Sequence, residues 1–275
     1  MSERFLGGLA IREWGNPGEP GILLWPGLGA PATYFAPIAE YLPGRAIAVD
    51  PPGFGGSSPV DPNTRERYVD VAREVIESTG CRVMIGHSLG AYLALDIAAQ
   101  PPAALRAVVM IDGGFLGTRE FRELGMPIGE GRETLISWLE ANDPRFSDWE
   151  TATATLSAML GADPSPVIVD YVRDIFVEVD GEIRSASGAN QRADLLLAIL
   201  NDDVVPRATD LQVPTLLVAC GQPIEHRAIR QAAWERLAES SPLVRLHVAD
   251  EWGHNPVLQA PEAIGALLAD WLGES

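Results

Sequence analysis

Residues 81–98 read Cys-Arg-Val-Met-Ile-Gly-His-Ser-Leu-Gly-Ala-Tyr-Leu-Ala-Leu-Asp-Ile-Ala, and the period of the pattern changes once, around the serine. Before it, residues 82–85 form a short apolar run of strand length. After it, Leu89, Leu93 and Ile97 recur at spacing four with Ala94 and Ala98 beside them, and Pro101-Pro102 stops the helix they predict. A helix so rich in alanine and apolar on most sides is expected to be buried. The joint between the two is Gly86-His87-Ser88-Leu89-Gly90, a G-x-S-x-G run in the strand–turn–helix setting of a nucleophile elbow. Such a turn is too tight for side chains on both flanks, so glycines stand two residues either side of Ser88 and its Oγ projects above the sheet. A serine hydroxyl is unreactive at neutral pH without a neighbouring base. The helix that starts at Leu89 aims its N-terminal amides at the place where negative charge would develop.

Similar apolar runs, bounded by turn residues, occur at 22–25, 46–49, 107–111, 215–219 and 244–248, with helical patterns between them. Strands that alternate with helices predict an α/β fold built on a mostly parallel, doubly wound sheet with helices on both faces. Between 115 and 207 the strand signal fades. Ile168, Tyr171, Val172, Ile175 and Phe176 follow Pro166 at helical spacing, residues 195–200 continue the pattern, and Pro206 and Pro214 mark the return to the sheet. The expected organisation is a core of residues 1–114 and 208–275 with a helical cap insertion at 115–207, either a mobile lid or a fixed layer of helices.

With these motifs in place, the chain resembles the α/β-hydrolase family over nearly its whole length. Asp50-Pro51-Pro52-Gly53-Phe54-Gly55-Gly56-Ser57-Ser58 is similar to the family's D-x-P-G-x-G-x-S loop, and Trp25-Pro26-Gly27-Leu28-Gly29 to its oxyanion loop, with Pro26 where histidine is usual. The resemblance implies the backbone N–H groups of Leu28 and Leu89 as oxyanion donors, which Pro26 does not remove. The family order is nucleophile, acid, histidine, and Trp252-Gly253-His254-Asn255-Pro256 stands where its G-H dipeptide does, so His254 is the expected base. His87, His226 and His247 are expected to be structural or surface residues, and their spacing supports no zinc site.

The acid departs from the common pattern. After the strand at 215–219, Gly221-Gln222-Pro223-Ile224 offers isoleucine at the usual aspartate position. Two substitutes remain: Asp112, which ends the strand at 107–111 as it does in some family branches, and Glu225, one residue past the usual place. Both lie at carboxyl ends of strands, where the ligand crevice of such a sheet forms. Asp112, flanked by glycines and an apolar strand, is preferred, and Glu225 is the alternative.

Composition narrows the chemistry. The chain has 275 residues, 47% of them hydrophobic, and a net charge of −18 that would repel phosphate backbones and anionic lipids, so neither nucleic acid nor a membrane is an expected partner. All 20 basic residues are arginine, which removes Schiff-base lysine chemistry and the P-loop. No run approaches the roughly 20 apolar residues of a membrane span. Cys81 and Cys220 lie beside apolar runs without CxxC spacing and read as reduced core residues, which predicts a cytoplasmic protein. No cofactor is called for, the partner is a small-molecule substrate, and the composition leaves room for a homo-oligomer.

The reaction these readings favour is hydrolysis of a small, moderately hydrophobic carboxylic ester or lactone through an acyl-enzyme on Ser88. Cleavage of an activated carbon–carbon bond beside a ketone, or a cofactor-free haloperoxidase or perhydrolase, would use the same residues. A non-catalytic ligand receptor is the alternative from another class. Phe115, Phe121, Met126, Trp138, Trp149, Met159, Tyr171 and Phe176 are the insertion's candidates for lining an apolar pocket or forming its core.

Overall fold

Apolar runs buried on both faces are the mark of parallel strands covered by helices, and the computed structural model has them side by side. It describes residues 2–100, 105–161, 164–200 and 203–274, so the expected proline stop at 101–102 lies outside the described residues. The strands are β1 (Ser2–Leu6), β2 (Leu9–Trp14), β3 (Gly21–Trp25), β4 (Arg45–Val49), β5 (Cys81–His87), β6 (Ala107–Ile111), β7 (Arg145–Phe146), β8 (Phe176–Val179), β9 (Glu182–Ser185), β10 (Thr215–Cys220) and β11 (Val244–Ala249). Eight of them form one sheet in the order β1-β2-β4-β3-β5-β6-β10-β11. From β4 onward every pairing is parallel, and β1 and β2 add an antiparallel edge.

Helices α1 (Arg65–Thr79) and α2 (Leu89–Ala98) follow β4 and β5. Between β6 and β10 come α3 (Thr118–Glu123), α4 (Arg132–Ala141), α5 (Trp149–Leu160), α6 (Pro166–Ile175), α7 (Ala189–Ile199) and α8 (Val205–Thr209). After β10 comes α9 (Arg227–Glu239), and after β11 come α10 (Pro256–Gln259) and α11 (Pro261–Glu274).

The two-residue period of the strands divides the core. Leu23, Ile47, Met84, Val108 and Leu217 face one way and pack with Val69 and Ile76 of α1, Leu93 of α2 and Trp234 of α9. Their neighbours Ile22, Ala46, Ile85, Val109 and Val218 face the other way, onto Tyr34 and Phe35 of a 3-10 helix (Ala32–Ile38) and onto Ile264 and Leu268 of α11. As expected, α2 is buried along its entire length.

Two departures from the expected elements have clear causes. Strands β1 and β2 have no long apolar run: β1 is an exposed edge, and β2 places Glu13 in a buried ion pair, 2.7 Å from Arg45 Nε. Apolar periodicity cannot register a strand whose inward position carries a charge. Segment 115–207, expected to be helical, also contains a three-stranded antiparallel sheet in the order β7-β9-β8. The β8–β9 hairpin turns at Asp180-Gly181, both at positive φ (54° and 82°), the conformation that Asp-Gly pairs favour in two-residue hairpins.

Among the described residues, the segment's buried apolar side chains belong to the two cores of the main sheet. Leu135 and Leu139 of α4 and Leu196 and Ile199 of α7 join the cluster on one face of the main sheet. Phe146 of β7, Ile168 and Val172 of α6 and Ile183 of β9 join the other. Gln191 of α7 also donates a hydrogen bond to the carbonyl of Gly53, tying the segment to the loop after β4.

Candidate active site

The chain leaves β3 toward β4 on one side and returns to β5 on the other, so a crevice opens at the carboxyl ends of β3 and β5, the place where open α/β sheets bind ligands. Ser88 follows β5 there, as the N-cap of α2, in a strained conformation, φ 52° and ψ −116°, outside the usual range of a residue bearing a Cβ. Its N–H donates to the Ile111 carbonyl at 2.9 Å, fastening the bend to β6. Gly90 is required by close approach, because a Cβ there would run into the carbonyl oxygen of Trp25. The β3 loop in turn lies against Ser88: a Cβ on Gly27 would stand 2.9 Å from Ser88 Cβ and 3.4 Å from its Oγ. Leu28 and Leu89 line the same cavity as Ser88.

His254 Nε2 is 2.9 Å from Ser88 Oγ, and His254 Nδ1 is 2.7 Å from Asp112 Oδ2. The imidazole thus comes from the loop between β11 and α10 and the carboxylate from the end of β6. Asp112 also has positive φ, 44°, and its N–H donates to Val218 of β10 at 2.8 Å. Its Oδ1 accepts from the backbone N–H of Cys220 at 2.9 Å and from the guanidinium of Arg230. Burial pushes the Asp112 carboxyl up, but the hydrogen bond and charge of His254, the Arg230 guanidinium and the Cys220 N–H outweigh it and hold the group below its usual range. The alternative acid, Glu225, is exposed in a 3-10 turn (Ile224–His226), and it is Asp112 that meets His254.

The other histidines separate by environment. His226 is exposed, and His247 lies within β11. His87 is buried, its ring stacked on Tyr34 at 4.5 Å and its Nε2 2.7 Å from the His254 carbonyl. A carbonyl only accepts, so Nε2 carries the hydrogen. Burial, and secondarily the charge of His254, push the His87 imidazole down to about 3, so it stays neutral while it anchors the backbone of His254. Cys81 and Cys220 are both buried and unbridged, and burial pushes both thiols up.

Above Ser88 and His254 is a cavity of about 480 Å³. Phe115, Phe121, Met126 and Tyr171 line it, as do Leu124, Leu196 and Leu200. The other aromatic and methionine candidates lie elsewhere. Trp138 packs against the main core, Trp149 sits under the Arg173 guanidinium, Met159 is exposed, and Phe176 meets Phe146 edge to face. The Tyr92 hydroxyl on the cavity wall is already bonded to Leu116, donating to its carbonyl at 2.9 Å.

Arg230 was not among the sequence candidates, although it carried a signal. On α9 the buried positions are Arg230, Ala233, Trp234 and Leu237, a helical core stripe whose first member is a charge. A buried arginine calls for a buried partner.

Comparison with known proteins agrees with this architecture. The chain is 27% identical over 252 residues to a 2-(acetamidomethylene)succinate hydrolase from Mesorhizobium japonicum, covering 89% of this chain and 85% of that protein. The thioesterase domain of a curacin biosynthetic pathway superposes with a TM-score of 0.75 at 22% identity, over 98% of this chain and 99% of that one. An esterase of M. tuberculosis superposes with a TM-score of 0.72 at 19% identity, over 99% and 91%. The sequence profile described as the alpha/beta hydrolase family matches residues 22–267, and to that family the chain belongs.

Proposed function

We propose that this hydrolase is a serine enzyme that cleaves a small, uncharged, moderately hydrophobic carboxylic ester or lactone, with Ser88 as nucleophile, His254 as base, Asp112 as acid and segment 115–207 as its cap. One observation carries the reading: a continuous hydrogen-bonded chain from Asp112 through His254 to Ser88 Oγ that ends beneath an apolar cavity. His254 takes the Ser88 proton as Oγ attacks the carbonyl carbon, and the oxyanion forms beside the N–H groups of Leu28 and Leu89. His254 returns the proton to the departing alcohol. A water, deprotonated by the same imidazole, then hydrolyses the acyl-enzyme to the carboxylic acid and restores the serine.

Charge narrows the substrate. The Mesorhizobium relative is named for a substituted succinate, a dicarboxylate. Among the described residues lining this cavity the cation is Arg230, and both its terminal nitrogens are engaged, Nη2 by Asp112 and Nη1 by the Gln222 carbonyl at 2.6 Å. A second carboxylate on the substrate would be desolvated without a partner, which is costly.

A fluorophosphonate probe tests the reaction class: it should label the wild-type protein at Ser88 and leave Ser88→Ala unlabelled. An unlabelled wild type would sink the proposal. A panel of esters graded in chain length, with lactones and with ω-carboxylate analogues, tests the substrate class. Neutral esters should be preferred by at least about tenfold over their carboxylate analogues, a conservative figure for an unpaired buried charge.

A further inference from the structure

We infer that Arg230 is a positioning residue for the proposed reaction: from α9 it holds one oxygen of Asp112 so that the other faces His254, and its charge sets the pH at which the Asp112–His254 pair takes up a proton. This rests on the reading of Ser88, His254 and Asp112 given above.

The geometry divides the carboxylate in two. Oδ1 accepts from Arg230 and from the Cys220 N–H, while Oδ2 is left to His254 Nδ1. With Oδ1 occupied by donors from α9 and β10, the carboxylate cannot rotate to offer the other oxygen without breaking both bonds. The second fork of the guanidinium donates to the Gln222 carbonyl, which anchors Arg230 to the loop after β10. The side chains of Arg230 and Asp112 are 8% and 1% exposed, so water screens their charges little.

Charge counting gives the direction of the effect. With Arg230 present, the group formed by buried Arg230 and Asp112 and half-exposed His254 is neutral before His254 gains a proton and carries one positive charge after. Without Arg230 the group would be negative before and neutral after, so proton uptake by the pair becomes easier. Arg230 therefore keeps the imidazole free to act as a base at lower pH. The other titratable groups around the pair do not take over this role. His87, whose ring is 5.0 Å from that of His254, stays neutral. Burial holds the Tyr34, Tyr92, Tyr171 and Cys220 side chains in their protonated forms. Arg227 is paired with Asp250 at 2.6 Å, Glu225 and His226 are exposed on the 3-10 turn, and Glu251 is exposed after β11.

The test compares Arg230→Met, Arg230→Gln and Arg230→Lys in the full chain. Two readouts are taken: NMR titration of the His254 imidazole, assigned with His254→Gln, and the pH profile of fluorophosphonate labelling at Ser88. In the two neutral variants, both the titration and the acidic limb of the profile should move up by about 1 pH unit. Arg230→Lys, which keeps the charge and loses the fork, should titrate at the wild-type pH while labelling more slowly at its plateau. Neutral variants that titrate at the wild-type pH, or a lysine variant that moves as far as they do, would overturn the proposal. If Arg230→Met does not fold, Arg230→Gln carries the neutral arm. A wild-type Ser88 that resists the probe would refute the serine mechanism alone, since the imidazole titration reports on Arg230 without any turnover.

Discussion

Asp112 at the end of β6 and His254 in the loop after β11 are 142 positions apart in the chain, and their side chains meet at 2.7 Å. The contact forms because β10 lies between β6 and β11 in the sheet, bringing the carboxyl ends of all three strands to one edge. Asp112 is fixed there by its own N–H, by Cys220 and by Arg230, whereas Glu225 points from an exposed turn.

Asp112→Asn should therefore lower kcat by about 10⁴-fold, because an amide cannot hold the imidazole in the required tautomer. Glu225→Gln should stay within about twofold of wild type, as exposed substitutions generally do. Steady-state kinetics on any ester the enzyme turns over decides between them, and a large loss in Glu225→Gln with none in Asp112→Asn would reverse the assignment.

Gly27→Ala places a Cβ 2.9 Å from Ser88 Cβ and 3.4 Å from Oγ. The expected result is a fall in kcat of at least about 10²-fold, the scale of loss that a misplacement of about 1 Å produces. Thermal denaturation should show a change of no more than a few degrees, since overpacking by one methyl costs roughly 1–3 kcal/mol. Wild-type kcat in this variant would show that the β3 loop does not touch the reacting geometry.

His87 makes stability depend on pH. Its folded-state imidazole is depressed from 6.5 to about 3, so the unfolded chain binds a proton that the folded one refuses. Its contribution is fully present above pH 6.5 and is lost as pH falls toward about 3, by up to about 1.4 kcal/mol for each pH unit. His87→Gln, whose amide N–H can still reach the His254 carbonyl, should flatten the acid limb of a denaturation series by one proton. An unchanged slope would mean that His87 is protonated in the fold.

Leu124 is half-buried on the cavity wall. Leu124→Trp should shorten the preferred acyl chain, and each methylene excluded should cost about 0.8 kcal/mol, roughly fourfold in kcat/KM. Profiles of kcat/KM against chain length check this, and an unshifted optimum would place the acyl group elsewhere.

The elbow at Gly86–Gly90 was legible because its causes are local. A strand run, a tight turn and a helix stripe occupy consecutive residues, and the glycines are demanded by backbone that lies within one turn or against the adjacent strand. The inner parallel strands were legible because burial on both faces makes them continuously apolar. β2 escaped because Glu13 at an inward position is neutralised by Arg45, which lies 32 positions along the chain. The β8–β9 hairpin was signalled by Asp180-Gly181 but obscured by the helical patterns on either side.

By itself the sequence determined the parallel α/β architecture and the tight turn that carries Ser88, because each depends on neighbours within a few residues, while the late histidine came from the family resemblance. That Asp112 rather than Glu225 meets His254, and that Arg230 stands behind it, was decided only by the tertiary structure. The contacts that fix Asp112 span 108, 118 and 142 positions, and they exist only once the strand order has brought β6, β10 and β11 together.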